Sequence, residues 1–407
     1  MSEDLAARTA RGRADEPDGT GRNRAAGRDW PGELRLGRLV APAPVVLAPM
    51  AGVTNAAYRL LCRSFGPGLF VSEMVTSRAL LAGGERTERM LRQDPAERPR
   101  SAQLYGVDPA TVAAAVRLVR ERDLADHIDL NFGCPAPKVT RRGGGAALPW
   151  KLDLYRRIVG AAVAAAGQAP VTVKLRAGID ATRLTFLDAG LAAEQEGAAA
   201  VALHARTAAQ HYSGKADWSL IAQLKREVKT IPVLGNGDVF EADDAVRLFR
   251  ETGCDGVVVG RGCLGRPWLF QDLACAAQGS AERLRPALGF VIDVVRRHAA
   301  LLVEHRGCEA AGLRELRGHM SWYLRGYPVG GEFRARAHLV GSLAELDELL
   351  ALLDPAAPHP GPAAGGARGR AGAARRPALP DGWLETRTCD AAQLAALGAA
   401  ELDVAGG

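Results

Sequence analysis

An α/β architecture, a (β/α)8 TIM barrel followed by a small C-terminal helical bundle, is what the sequence predicts, and three observations carry the prediction. Eight short apolar runs rich in β-forming residues alternate with helical stretches, the pattern of parallel βα units. They fill about 230 residues, the count and size of such a barrel. After about residue 285 the strand-like runs stop and helical periods replace them. A doubly wound sheet is the alternative way to arrange the same units.

The runs lie at 45–48, 69–72, 101–104, 127–130, 171–175, 200–203, 231–234 and 256–259. Between them the apolar spacing predicts helices, for example at 109–122, 183–197 and 241–252. Beyond the barrel, helical periods occupy 289–305, 310–325 and 333–353. The expected division is a disordered N-terminal tail at 1–38, a barrel at 39–284, a helical unit at 285–354 and a C-terminal tail at 355–407. The N-terminal segment is polar and rich in Gly, Arg and Asp, with no sustained apolar period. Residues 355–380 are rich in Ala, Gly, Pro and Arg, and carry Arg368, Arg370, Arg375 and Arg376 without an acid. That composition reads as solvated linker, with a nonspecific RNA-touching arm as the lesser reading.

Composition removes several classes of function. A chain of 407 residues with 47% hydrophobic and 24% charged residues is not disordered throughout. No run approaches the ~20 apolar residues a membrane span needs, and the charged N-terminus lacks the apolar core of a secretory signal. Seven cysteines without a C-x-x-C pair point away from a disulfide framework or structural metal and toward the cytoplasm. A net charge of +6 permits nucleic-acid binding without demonstrating it. Residues 293–338 hold eight arginines against five acids, so the helical unit is locally basic.

Barrel chemistry collects where strands end, and those positions form a short series. Pro49, Met50 and Ala51 follow the first strand, Gln103 lies on the third, and Asn131 and Cys134 end the fourth. Lys174 and Arg176 lie on the fifth, and His204 and Arg206 end the sixth. Gly235, Asn236, Gly237 and Asp238 follow the seventh, and Gly260, Arg261 and Gly262 the eighth. Glycine loops at those last two positions suit a phosphate, because bare backbone N–H groups can approach it. The literal G-x-G-x-x-G at 260–265 is not a dinucleotide fingerprint, since helices rather than a further strand follow. Lys174 interrupts an otherwise Val, Thr and Leu strand, so it reads as a nucleophile or as a fixed charge facing a cofactor. Cys134 sits between Gly133 and Pro135 in a loop that continues to Arg141 and Arg142. A thiol with an ordinary pKa of ~8.5 is protonated at neutral pH and can serve directly as a proton donor.

In this order the motifs resemble the tRNA-dihydrouridine synthases of the bacterial B subgroup. The carrying strings are APMAGVTN (48–55), VSEMV (71–75), QLYG (103–106), DLNFGCPAPKV (129–139) and KLRAGID (174–180). HARTAAQHYSGKADW (204–218), GNGD (235–238), GRGCLGRPWLF (260–270) and LRELRGHMSWYL (313–324) complete them, over about residues 39–353. The resemblance implies reduction of the C5–C6 double bond of selected tRNA uridines, with FMN across the barrel mouth and NADPH as reductant. It places Pro49, Met50 and Ala51 on the isoalloxazine, Gln103 and Lys174 at its polar edge, and His204 beside the cofactor. Asn236, Gly237, Asp238, Gly260 and Arg261 would hold the ribityl phosphate, and Cys134 would give the proton to C5. Asn131, Arg176 and Arg206 are expected to meet the substrate. Arg314, Arg317 and Arg325, spaced along roughly one helix face, would meet the tRNA body. The chain departs from the family at Ala311 and Gly318, where relatives carry lysines, and at Ala146, where a hydroxyl is usual. No membrane, structural metal or obligate protein partner is expected. A flavin barrel acting on a free pyrimidine is the alternative, and a flavin-free RNA-binding relic is a third reading. The GRPW run and helical unit argue against the first of these, and the full set of cofactor positions against the second.

Overall fold

The structure, a computed structural model, describes residue 30, residues 32–369 and residues 372–402. Eight parallel strands close into one barrel, so the doubly wound alternative does not apply. In chain order they are β1 (Val45–Leu47), β2 (Leu69–Thr76), β3 (Ser101–Tyr105), β4 (His127–Phe132), β5 (Val171–Arg176), β6 (Ala200–His204), β7 (Val233–Asn236) and β8 (Gly256–Val259). Each pairs with its neighbour in sequence, and β8 returns to β1.

Alternation along the strands separates two cores, because successive side chains point to opposite faces. Outward residues such as Leu47, Ile128, Val173 and Val257 pack under the surrounding helices. Inward residues Val46, Leu69, Val71, Ala200, Leu234 and Val258 form a second cluster inside the barrel. A short antiparallel hairpin, Leu34–Leu36 with Leu39–Ala41, adds Leu34, Leu36 and Ala41 to that inner cluster. This hairpin and the buried Trp30, its ring 4.4 Å from that of Phe249, begin inside the segment expected to be tail. Three apolar residues separated by a tight turn form too short a pattern to read as a barrel element from sequence. Residues 1–29 and residue 31 of that expected tail lie outside the described residues.

Helix α1 (Ala56–Arg63) starts on an Asn55 cap, whose side chain accepts from the Tyr58 N–H. After the barrel come α2 (Leu288–Arg306), α3 (Glu309–Tyr323), α4 (Gly331–Ala337) and α5 (Leu343–Leu350). The predicted 333–353 period is therefore two helices. Ser342 caps the second of them by accepting from the Glu345 N–H. The helical unit joins the barrel through buried rings. Tyr58 of α1 lies 5.4 Å from His298 and 5.5 Å from His319 and donates to the Cys263 carbonyl at 2.6 Å. The His298 Nδ1 and the Tyr323 hydroxyl are 3.0 Å apart. Burial keeps both histidines below their ordinary range, His319 at about 4, so these imidazoles are neutral packing groups. Gly265, with φ +63, lies where a Cβ would come within 2.3 Å of the Trp322 backbone in α3. The GRPW run is thus a seat for the helical unit.

The expected C-terminal tail, of which residues 355–380 read as solvated linker, packs on the barrel instead. Trp383 is buried and donates to the Ala147 carbonyl at 3.0 Å. The Lys151 ammonium donates to the Thr386 and Thr388 carbonyls at 3.0 and 2.9 Å. Arg375 Nε donates to His211 Nε2 at 2.9 Å, and Arg368 is buried, donating to the Ala364 carbonyl. Alanine, glycine and proline permit this path without announcing it; one tryptophan anchors it. Trp383→Ala is expected to lower stability by about 3–5 kcal/mol, read as a fall in the urea midpoint. An unchanged midpoint would show that the segment contributes no packing energy. No helix among the described residues is long and apolar enough to cross a membrane, and they contain no cluster of three or more His, Cys, Asp or Glu residues placed to hold a metal.

Candidate active site at the barrel mouth

Strand register decides which of the predicted residues meet. Asn131 on β4 pairs with Lys174 on β5, and His204 on β6 pairs with Arg176 on one side and Asn236 on the other. Ala202 lies between Lys174 and Leu234 in the ladder, and its small side chain lets the lysine reach across β6. The Lys174 ammonium donates to Asn236 Oδ1 at 3.0 Å, and Asn236 Nδ2 donates to the Val258 carbonyl at 2.6 Å. Burial and then Arg176 push Lys174 down to about 8, against the pull of Asp129 and Cys134. At neutral pH it remains mostly a cation.

Cys134 heads the loop after β4. Its backbone N–H and that of Gly133 donate to Asn131 Oδ1 at 2.9 and 3.1 Å, and its carbonyl accepts from Ala146 at 3.0 Å. Burial raises the thiol above its ordinary value, although the Ala136 backbone, Arg176, Lys138 and Lys174 pull it down. The sulfur is therefore a neutral S–H held on an ordered loop. Gln103, wholly buried, donates to Asp129 at 2.7 Å and accepts from Asn131 at 2.9 Å.

The opposite wall is cationic. Burial, then Arg176, Lys174, Arg206 and Arg261, drives His204 well below its ordinary pKa, so the ring is neutral. Arg261 stacks over Tyr212 at 4.3 Å and lies 3.8 Å from Asp238. Gly237 has φ +127, and a Cβ there would stand 2.6 Å from Ala216 and 3.3 Å from the His204 ring. Only glycine lets this backbone lie so close to the histidine. At Gly260 a Cβ would meet Ala48 and Met50 at 3.6 and 3.8 Å, ordinary contact distances. The loop of Pro49, Met50 and Ala51 is closed by the Met50 carbonyl, which accepts from the Val53 and Thr54 N–H groups at 3.0 Å. Arg59 supports it from below by donating to the Thr54 carbonyl at 2.8 Å while paired with Glu97.

Some predicted contact residues have internal tasks in the structure. Arg176 donates to the carbonyls of Gly133, Thr207 and His211 at 2.8, 3.0 and 2.8 Å, clamping the β4 and β6 loops together. Arg206 meets both Asp238 oxygens at 2.8 Å and the carbonyls of Ser213 and Gly214. Asp238 also accepts from the Ala216 N–H at 2.7 Å, so its carboxylate orders a loop. The three arginines of the helical unit do not form one face. Arg317 donates to the Val340 and Leu339 carbonyls at 2.8 and 2.9 Å. Arg325 lies beyond the end of α3 and donates to the Ala367 carbonyl, while Arg314 on α3 is exposed. Two site residues escaped the sequence reading. Tyr212 lies between Arg176 and Arg261, 5.6 and 4.3 Å from their guanidinium carbons. Glu73 accepts from the Gly52 N–H at 2.5 Å, its pKa raised by burial. Both stood inside motif strings; a carboxylate within the largely apolar strand β2 was the available signal for Glu73.

Residues 46–357 match the family model described as dihydrouridine synthase. The chain belongs to the dihydrouridine synthase family. A probable tRNA-dihydrouridine synthase of Mycobacterium tuberculosis is 56% identical over 360 residues, covering 86% of this chain and 92% of that protein. One from Mycobacterium leprae is 55% identical, covering 83% and 95%. The tRNA-dihydrouridine synthase B of Xanthomonas campestris is 38% identical, covering 74% and 90%. In this dihydrouridine synthase family member the segment anchored by Trp383 lies beyond the matched residues.

Proposed function

We propose that this protein reduces the C5–C6 double bond of selected uridines in tRNA to give 5,6-dihydrouridine, with FMN bound at the barrel mouth and NADPH as reductant, in the cytoplasm. The observation that carries the reading is the pairing, in one barrel mouth, of a protonated Cys134 thiol with the Lys174 ammonium. The residues fit FMN. Among the described residues, the cations Lys174, Arg176, Arg206 and Arg261 crowd His204, and Asp129 and Asp238 are carboxylates that face them. A doubly charged phosphate balances that excess.

Pro49, Met50 and Ala51 would lie against the isoalloxazine, with Gln103 and Lys174 toward its polar edge and His204 beside it. Asn236, Gly237, Asp238, Gly260 and Arg261 would hold the phosphate, Asp238 by ordering the loop through Arg206. When bound, FMN reduced by NADPH supplies the hydride for C6. The Cys134 Sγ proton goes to C5. Asn131 holds the Cys134 loop and Arg176 holds that loop to its neighbour. A uracil must leave its stack to reach this mouth, at a cost of a few kcal/mol. The basic helical unit offsets that cost by holding RNA phosphates.

Purified protein is expected to be yellow; colourless protein that rebinds no FMN would remove the flavin assignment. The substrate is tested by mass-spectrometric mapping of dihydrouridine in tRNA from cells lacking the gene, where one modification site should disappear. For the RNA contact, Arg314→Ala should reduce the slope of log Kd against log salt by about 1. An unchanged slope would place the phosphate contacts elsewhere.

A further inference from the structure

Inside the barrel, a continuous chain of buried polar side chains descends from the Cys134 loop along β3, β4 and β5. Its direction can be deduced atom by atom. Asn131 Oδ1 accepts from the Gly133 and Cys134 N–H groups, which can only donate. The Asn131 NH2 therefore points to Gln103 Oε1 at 2.9 Å, and the Gln103 NH2 is left to donate to Asp129 at 2.7 Å. From below, Thr172 donates its single hydroxyl proton to the other Asp129 oxygen at 2.6 Å. Thr172 must then accept from His127 Nε2 at 2.9 Å, leaving His127 Nδ1 to accept from Ser101 at 2.7 Å. A neutral imidazole is required, and burial holds His127 down to about 3. Donors thus converge on Asp129 from both directions.

We propose that Asp129 is a positioning residue: its acceptor oxygen toward Gln103 sets the direction of the Gln103 and Asn131 amides, and through them holds the Cys134 loop in place. The proposal deepens the reading of Cys134 as proton donor and rests on it. A carboxylate suits the position because it accepts on both oxygens. The groups facing it are Gln103 on β3, Thr172 and Lys174 on β5. Burial raises Asp129 to about 6 against their pull, so it is ionised at neutral pH. Without an acceptor here, the Gln103 NH2 is a buried donor with no partner. It gains by turning, and Asn131 then loses its reason to show its oxygen to the loop.

The acceptor, rather than the charge, is what the upper chain needs. An asparagine at 129 can keep its oxygen toward Gln103 and turn its NH2 to Thr172. The lower half then reverses through the His127 tautomer at the cost of one hydroxyl, whereas reversing the upper half would abandon two backbone N–H groups. The test is hydrogen exchange of the 131–136 peptide in the full-length protein, with the β8 peptide as an internal control. Asp129→Leu is expected to speed exchange at Gly133 and Cys134 by about tenfold or more and to lower kcat while leaving KM for tRNA within about twofold. Asp129→Asn and Thr172→Val should both stay within about twofold of wild type in exchange. Unchanged exchange in Asp129→Leu would overturn the proposal. So would equal acceleration in Asp129→Asn or in Thr172→Val, which would mark a charge effect or general loss of packing. Exchange is read without uridine or NADPH, so a failure of the flavin reading would show separately, as colourless wild-type protein.

Discussion

Cys134→Ala is expected to retain FMN and lose uridine reduction by at least about 100-fold, the range of a lost general acid. The thiol is the acidic hydrogen that the site presents on an ordered loop: Asn131 fixes its backbone, and Ala146 fixes its carbonyl. Burial raises the thiol pKa above its ordinary value. The sign follows directly: the group is protonated and competent below its pKa, so the thiol stays a proton donor through neutral pH and is lost as one only in alkaline solution. The replacement removes one sulfur and its hydrogen bond from the Ala136 backbone, while the bonds from the Cys134 N–H to Asn131 and from Ala146 to its carbonyl remain. FMN absorbance should therefore stay and NADPH should still reduce the flavin, while dihydrouridine formation in a single turnover disappears. Wild-type dihydrouridine formation in this variant would mean that the proton comes from another group.

Lys174→Ala should weaken FMN binding by about 10- to 100-fold, the equivalent of one charge-assisted hydrogen bond, and slow flavin reduction by NADPH. Lys174 is pushed down to about 8 by burial and by Arg176, so a cation held there at neutral pH is under strain that an anionic partner relieves. Stabilising negative charge on a reduced flavin is one of the ways a protein tunes that cofactor. The variant also leaves Asn236 Oδ1 without its 3.0 Å donor, so part of the loss reflects a loosened β7 end. Lys174→Arg separates the two contributions by restoring charge without the point geometry. Normal FMN affinity together with normal NADPH oxidation in Lys174→Ala would remove the lysine from the cofactor site.

Much of the site was legible because barrel strands place chemistry at predictable positions. The period of two puts Gln103, Asn131, Lys174 and Asn236 on inward faces, and the strand ends collect Cys134, His204 and the glycines of β7 and β8 at one rim. The fates of individual arginines were not legible. Arg314 and Arg317 lie on the same helix, yet one is exposed and the other is drawn to the Val340 and Leu339 carbonyls. Spacing assigns a residue to a face, but an arginine's five donors go wherever unpaired carbonyls lie. Arg176 illustrates the same point inside the barrel, where the carbonyls come from loops after β4 and β6.

The sequence by itself determined the eight-stranded barrel, the helical unit after it and the family. The barrel and the helical unit follow from local periodicity, and the family from the resemblance of the motif strings, which neighbouring residues along the chain already specify. Tertiary structure alone decided that Trp383 docks on Ala147 across 236 positions, that Gly265 seats the helical unit, and that donors from β3 and β5 converge on Asp129. Such contacts depend on which unpaired donor, acceptor or apolar surface the closed barrel brings within reach, a property of the assembled fold that no local stretch of sequence contains.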